Sequence, residues 1–132
     1  MTMYPNLFSS WQLGGVPLRN RLAYASILTH FAKDGEPTQK LINYLSSRAK
    51  GGAGLIVTEP LAMLSHLPAA NRVHAYSDSS LGHLKKLVDA VEVYDTRLLG
   101  QIQDAGRGRH AVGRNDGAIG ASSLPDDLSW TV

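Results

Sequence analysis

Three short apolar runs, separated by two longer stretches of helical periodicity, constrain this chain more than any other feature. The runs are RLAYA at 21–25, GLIVT at 54–58 and LLGQIQ at 98–103. Between the first two, Leu41, Ile42, Leu45 and Ala49 recur on one helical face, and between the last two, Leu81, Leu84, Leu87, Val88 and Val91 do the same. The run at 54–58 is continuously apolar rather than alternating, the pattern of a strand buried on both faces. Strands joined through helices of about a dozen residues cannot be hairpin partners. They imply right-handed crossovers and a parallel sheet.

Local signals place the boundaries. Thr38 caps a first helix from about Gln39 to Lys50, which Gly51-Gly52 ends. Ser77 or Asp78 caps a second that runs to about Asp95. WQLGGVPLR at 11–19 reads as a hairpin about Gly14-Gly15, and KDGEP at 33–37 as a turn. Residues 60–76 form a loop without periodicity. After 103 the sequence turns to Gly, Arg and Asp with no helical pattern. The expected class is therefore α/β: three parallel strands and two helices, preceded by a hairpin. A closed (β/α)₈ barrel takes about 250 residues. With 132 residues the chain supplies only three of eight strands, and the expectation is a single unit, residues 1–132, forming the N-terminal part of one barrel domain.

Composition removes several functional classes. A hydrophobic fraction of 43% with 18% charged residues is that of an ordinary globular chain, not a disordered one. No apolar run approaches the roughly 20 residues of a membrane span, and the first 15 residues lack the basic and apolar regions of a secretory signal. No cysteine is present, which excludes disulfides, Cys-based metal centres and a thiol nucleophile and fits a cytoplasmic setting. A formal charge of +2 is too small to indicate nucleic acid. The local basic cluster of Arg107, Arg109, His110 and Arg114 reads either as a solvated loop or as an anion site. No aromatic residue interleaves it as a base-stacking platform would require.

The glycine motifs do not describe a dinucleotide fold. GGAG at 51–54 follows a helix and precedes a strand, the reverse of a phosphate-binding turn, and GRGR at 106–109 opens no helix. The five histidines, His30, His66, His74, His83 and His110, show no HExxH spacing, so no metal site is expected. His83 falls mid-helix, on the surface. His30 lies just past the C-terminal end of the first strand, the side on which barrel active sites are built, and is either a ligand contact or a plain loop residue. Gln101 interrupts an apolar strand, and a buried carboxamide must be hydrogen-bonded. Its partner is either neighbouring backbone or a heterocycle edge that presents an N–H beside a carbonyl. Glu59, at the end of the second strand, is either a functional group at the barrel top or a paired structural carboxylate.

Taken in order, the motifs resemble a known family. LFSSWQLGGVPLRNRLAYAS is similar to the opening of the old yellow enzymes, and KDGEPTQKLINYLSSRAKGGAGLIVTE to their "DG.PT…YY..RA.GG.GLI.TE" segment. QIQDAGR at 101–107 resembles "QL.HAGR", and Ala121-Ser122-Ser123 resembles "APS". The resemblance is strongest to the bacterial branch with 2,4-dienoyl-CoA reductase and NADH:flavin oxidoreductases. It implies an FMN-containing barrel that takes hydride from NADH or NADPH and passes it to an activated alkene. By position it implies that Ala25, Ser26 and Ile27 line the flavin, that Thr29 adds a hydroxyl, that Pro60 lies beneath the ring and that Gln101 bonds its pyrimidine edge. His30, Asp104 and Arg107 fall on the substrate side. The chain departs from the family at Ala25-Ser26-Ile27, where Pro or Gly-Ser with Met is usual, and at Asp104, where His is usual.

The family's substrate-gripping pair, phosphate loops and proton donor come from later strands, so no catalytic residue is expected in this chain. Two readings are open. One is the N-terminal segment of an FMN-dependent oxidoreductase, inactive and without retained FMN on its own. The other is a non-catalytic remnant that folds against a copy of itself or another chain. Both expect association with the remaining strands or an oligomer, and neither expects nucleic acid or membrane.

Overall fold

The computed structural model describes residues 3–65 and 70–103. A single turn of helix, α1 (Pro5–Phe8), leads into an antiparallel hairpin of β1 (Trp11–Leu13) and β2 (Val16–Leu18). Gly14 turns that hairpin with φ of 56°, a conformation that disfavours side chains with a Cβ. Next come β3 (Ala23–Tyr24), a second small hairpin of β4 (Ala32–Lys33) and β5 (Glu36–Pro37), and helix α2 (Gln39–Lys50). The chain continues through β6 (Leu55–Val57), β7 (Leu61–Ala62), a 3₁₀ turn at Asp78–Ser80, helix α3 (Leu81–Glu92), β8 (Arg97–Leu99) and β9 (Ile102–Gln103).

The central element is the parallel sheet β3-β6-β8. Tyr24 lies beside Ile56, and Ile56 beside Leu98. Both helices cover one face. Leu41, Leu45 and Ala49 of α2 and Leu87 and Val91 of α3 pack with Ile56 into the core, with Tyr24 and Leu98 against its margin. By strand alternation Ala23, Leu55, Val57, Arg97 and Leu99 face the other way. The sheet is thus α/β and covered on one face, with no closed barrel among the described residues. Nor is any described helix long and apolar enough to cross a membrane.

Several expectations change in detail. The strand read as fully buried at 54–58 is β6, in which only Ile56 is buried, because helices cover just one of its faces. The run at 98–103 is two strands, not one. Leu99 ends the pairing with β6, the chain breaks at Gly100-Gln101, and β9 pairs instead with β7. The loop at 60–76 contains β7 and the fully buried Val73. Its order comes from long-range backbone bonds such as Ala62 N–H to the Val73 carbonyl, 2.9 Å, which leave no periodicity to read. The turn at 33–37 is the β4–β5 hairpin, with Asp34 and Gly35 at φ of 51° and 84°. Helix α3 is shorter than expected, and Leu81 and Val88 of its apolar stripe are exposed because no described element covers their side. His83 is half-buried rather than on the surface, its Nε2–H donating to the His74 carbonyl at 2.9 Å.

The start of α2 is built as its sequence suggests. Thr38 Oγ1 accepts from the Leu41 N–H and donates to the Phe31 carbonyl. At its end Gly52 adopts φ of 112°. Across the interface of α2 with β3, the Tyr24 and Tyr44 hydroxyls are 2.5 Å apart, and the Arg48 guanidinium sits 3.4 Å from the Tyr44 ring centroid. That hydrogen bond, with burial second, pushes the Tyr44 phenol above its ordinary pKa. A raised phenol pKa means the neutral form is favoured in the fold. Its stabilisation is therefore complete below about pH 10 and is lost as the pH climbs through the raised value. Tyr24→Phe should lower stability by about 1 kcal/mol near neutrality. Urea titrations should show the gap from wild type closing as the pH rises through the raised Tyr44 value. A gap that stays constant with pH would contradict this reading.

Candidate functional site

All three parallel strands end on the same side, and the residues just beyond those ends form the candidate site. Past β3 come Ala25, Ser26 and Ile27; past β6 come Thr58, Glu59 and Pro60; past β8 come Gly100 and Gln101. Ala25 and Ile27 are exposed, Ser26 is half-buried, and Pro60 is buried under the rim.

Gln101 is held by its backbone and leaves its side chain unengaged. Its N–H donates to Thr58 Oγ1 at 3.0 Å, and its carbonyl accepts from the Leu61 N–H at 2.8 Å. The carboxamide is exposed and makes no hydrogen bond to the described residues. Of the two readings open for this residue, pairing with neighbouring backbone is thereby excluded among those residues. The sequence marks Thr58 for this task only weakly. A polar residue closing an apolar run is the only signal.

Glu59 is 2% exposed and faces the first strand's loop. Its Oε2 accepts from the Thr29 N–H at 2.8 Å and from the Thr29 hydroxyl at 2.5 Å. Thr29 Oγ1 in turn accepts from the Phe31 N–H at 3.2 Å. The hydroxyl assigned to the flavin by resemblance therefore has its proton committed to Glu59. His30 is exposed, adopts φ of 56°, and accepts at Nδ1 from the Asn71 amide at 2.7 Å. Asp104, Arg107, the basic cluster to Arg114, His66 and the 121–123 motif lie outside the described residues. Among the described residues, no cluster of three His, Asp or Glu side chains could hold a metal ion.

At the opposite end of the sheet, the LRNR motif acts as a lock. Arg19 Nη2 donates to the Ala49 and Ala53 carbonyls at 2.8 and 3.1 Å and lies 3.4 Å from Thr96 Oγ1. Asn20 Nδ2 donates to the Gly52 carbonyl at 2.8 Å, while its Oδ1 accepts from the Leu22 N–H at 3.0 Å. A Cβ on Gly54 would meet Asn20 Oδ1 at 2.5 Å, which explains the glycine.

Small side chains at Ala25 and Ser26 leave room, Ile27 offers apolar surface, and Gln101 presents one donor beside one acceptor. The NADH:flavin oxidoreductase / NADH oxidase family profile matches residues 6–129. An NADH oxidase of Thermoanaerobacter brockii is 35% identical over 112 residues, 81% of this chain and 17% of its own. An NADH:acrylate oxidoreductase of Vibrio harveyi is 36% identical over 97 residues, 70% of this chain and 9% of its own. The old yellow enzyme from Trypanosoma cruzi superposes with a TM-score of 0.76 at 26% identity, over 92% of this chain and 36% of that one. This chain thus spans about a third or less of these relatives. A profile match over nearly all its residues, on a sheet that superposes on an old yellow enzyme, shows that the chain belongs to the FMN-dependent NADH:flavin oxidoreductase / NADH oxidase family.

Proposed function

We propose that this chain forms the part of an FMN-dependent NAD(P)H oxidoreductase that faces the flavin ring, in an enzyme that reduces activated alkenes. When bound, FMN supplies the hydride chemistry; the residues here bind and orient its ring. The observation that carries this reading is Gln101, with its backbone fixed on both sides and its carboxamide free at the rim. Gln101 would pair the polar pyrimidine edge, Ala25, Ser26 and Ile27 would line the ring, and Pro60 would support the rim from below. His30, Asp104 and Arg107 are assigned to the substrate side. The acrylate oxidoreductase among the relatives supports a substrate whose double bond is conjugated with a carboxyl group. Catalysis would need groups from further strands, which this chain would meet in the same or another polypeptide. The remnant reading, in which such strands serve folding alone, is favoured only by the exposure of the uncovered sheet face.

The test is Gln101→Leu in a complete barrel that carries this segment. An apolar side chain cannot pair the ring edge, and the loss is about 1–3 kcal/mol. FMN affinity should fall about tenfold or more, or the reduction potential should drop. Unchanged affinity and potential would remove Gln101 from the flavin site.

A further inference from the structure

We propose that Glu59 is a positioning residue that sets the loop after the first strand for flavin binding, acting through Thr29. The inference rests on the flavin reading above and goes beyond it, since Glu59 need not touch the ring. The middle strand ends in two consecutive polar residues that reach opposite ways. Thr58 accepts from Gln101 beyond β8, and Glu59 accepts twice from Thr29 beyond β3. Each outer strand end is thus tied to the centre by a side chain.

The tie to Thr29 is the stronger of the two. A carboxylate accepting from both an N–H and an O–H of one residue fixes that residue's backbone and its rotamer together, and charge-assisted bonds are about twice as strong as neutral ones. The segment so fixed runs on into His30, whose φ of 56° is unusual for a residue with a side chain. Burial argues for a purpose. A carboxylate 2% exposed is costly to place, yet Glu59 Oε1 has no hydrogen-bond partner among the described residues. A residue serving stability alone would gain from replacement by an apolar side chain of similar volume. Its position at the rim, one residue before Pro60, fits a group that holds a binding surface in shape.

The test uses amide NMR of the whole chain with millimolar FMN as the probe. In the parent chain, FMN should shift the amides of residues 25–30 and the Gln101 side-chain amide. Without FMN, Glu59→Ala and Thr29→Val should disturb amides 25–31 and leave those of core residues Leu45, Ile56 and Val91 in place. With FMN, both variants should bind about tenfold more weakly, read at Gln101, and Thr29→Ser should restore parental binding. Parental affinity in a variant whose loop amides have moved would overturn the proposal. So would displacement of the core amides in both variants, which would make Glu59 a determinant of the fold alone. No FMN-dependent shift in the parent chain would overturn the flavin reading itself, and this proposal with it.

Discussion

Arg19→Ala is expected to destabilise the chain by about 2–3 kcal/mol, a sizeable part of the 5–15 kcal/mol typical of a domain. One guanidinium nitrogen serves the Ala49 carbonyl at the end of α2, the Ala53 carbonyl before β6 and Thr96 before β8. Thr96 is fully buried and itself donates to the Ala53 carbonyl at 2.7 Å. Removing Arg19 therefore takes one donor from each of two carbonyls, which keep the Gly52 N–H and the Thr96 hydroxyl respectively, and takes a cation from a helix C-terminus, where the dipole favours one. Lysine should recover part of the loss, because a single nitrogen makes all three contacts and an ammonium carries three donors on one nitrogen. The urea midpoint is the readout. A loss below about 1 kcal/mol would show that water replaces the guanidinium without penalty.

At low micromolar concentration the chain is expected to sediment as an oligomer. Leu99 is 51% exposed on the uncovered face, and Ile27 and Ile102, at the same end, are 52% and 63% exposed. Apolar surface left wet forfeits about 25 cal/mol per Å², and among the described residues β3 and β8 each present an unpaired edge. Charged substitutions at Leu99 and Ile102 should shift the distribution toward monomer. A monomer with a sharp melting transition would mean that the uncovered face is tolerated as it stands.

The parts of the fold legible in the sequence are those set by local chemistry. Thr38 and Gly51-Gly52 bracket α2 because a cap and a left-handed glycine act within a few residues, and the Gly14-Gly15 hairpin is readable for the same reason. Alternating strand and helix signals gave the parallel sheet. The features that stayed hidden depend on distant partners. The break at Gly100-Gln101 exists because β9 finds β7, and Val73, whose carbonyl accepts from the Ala62 N–H, is buried in the core, neither of which any periodicity records. At the site, Gln101 stood out as a carboxamide in an apolar run. Thr29 shows the limit of carrying roles over by position. Its hydroxyl reads as a flavin contact, and the structure adds a hydrogen bond that it donates to Glu59, 30 residues away in sequence.

The central claim is that these strand ends contact the flavin ring while the phosphate is gripped by other strands. Riboflavin and FMN differ only in that phosphate, so titrating both against the chain by fluorescence quenching separates the two contacts. Equal, weak binding of the two is expected, with dissociation constants above about 100 μM. Low-micromolar binding of FMN with riboflavin bound far more weakly would contradict it, because a phosphate grip would then lie within these 132 residues.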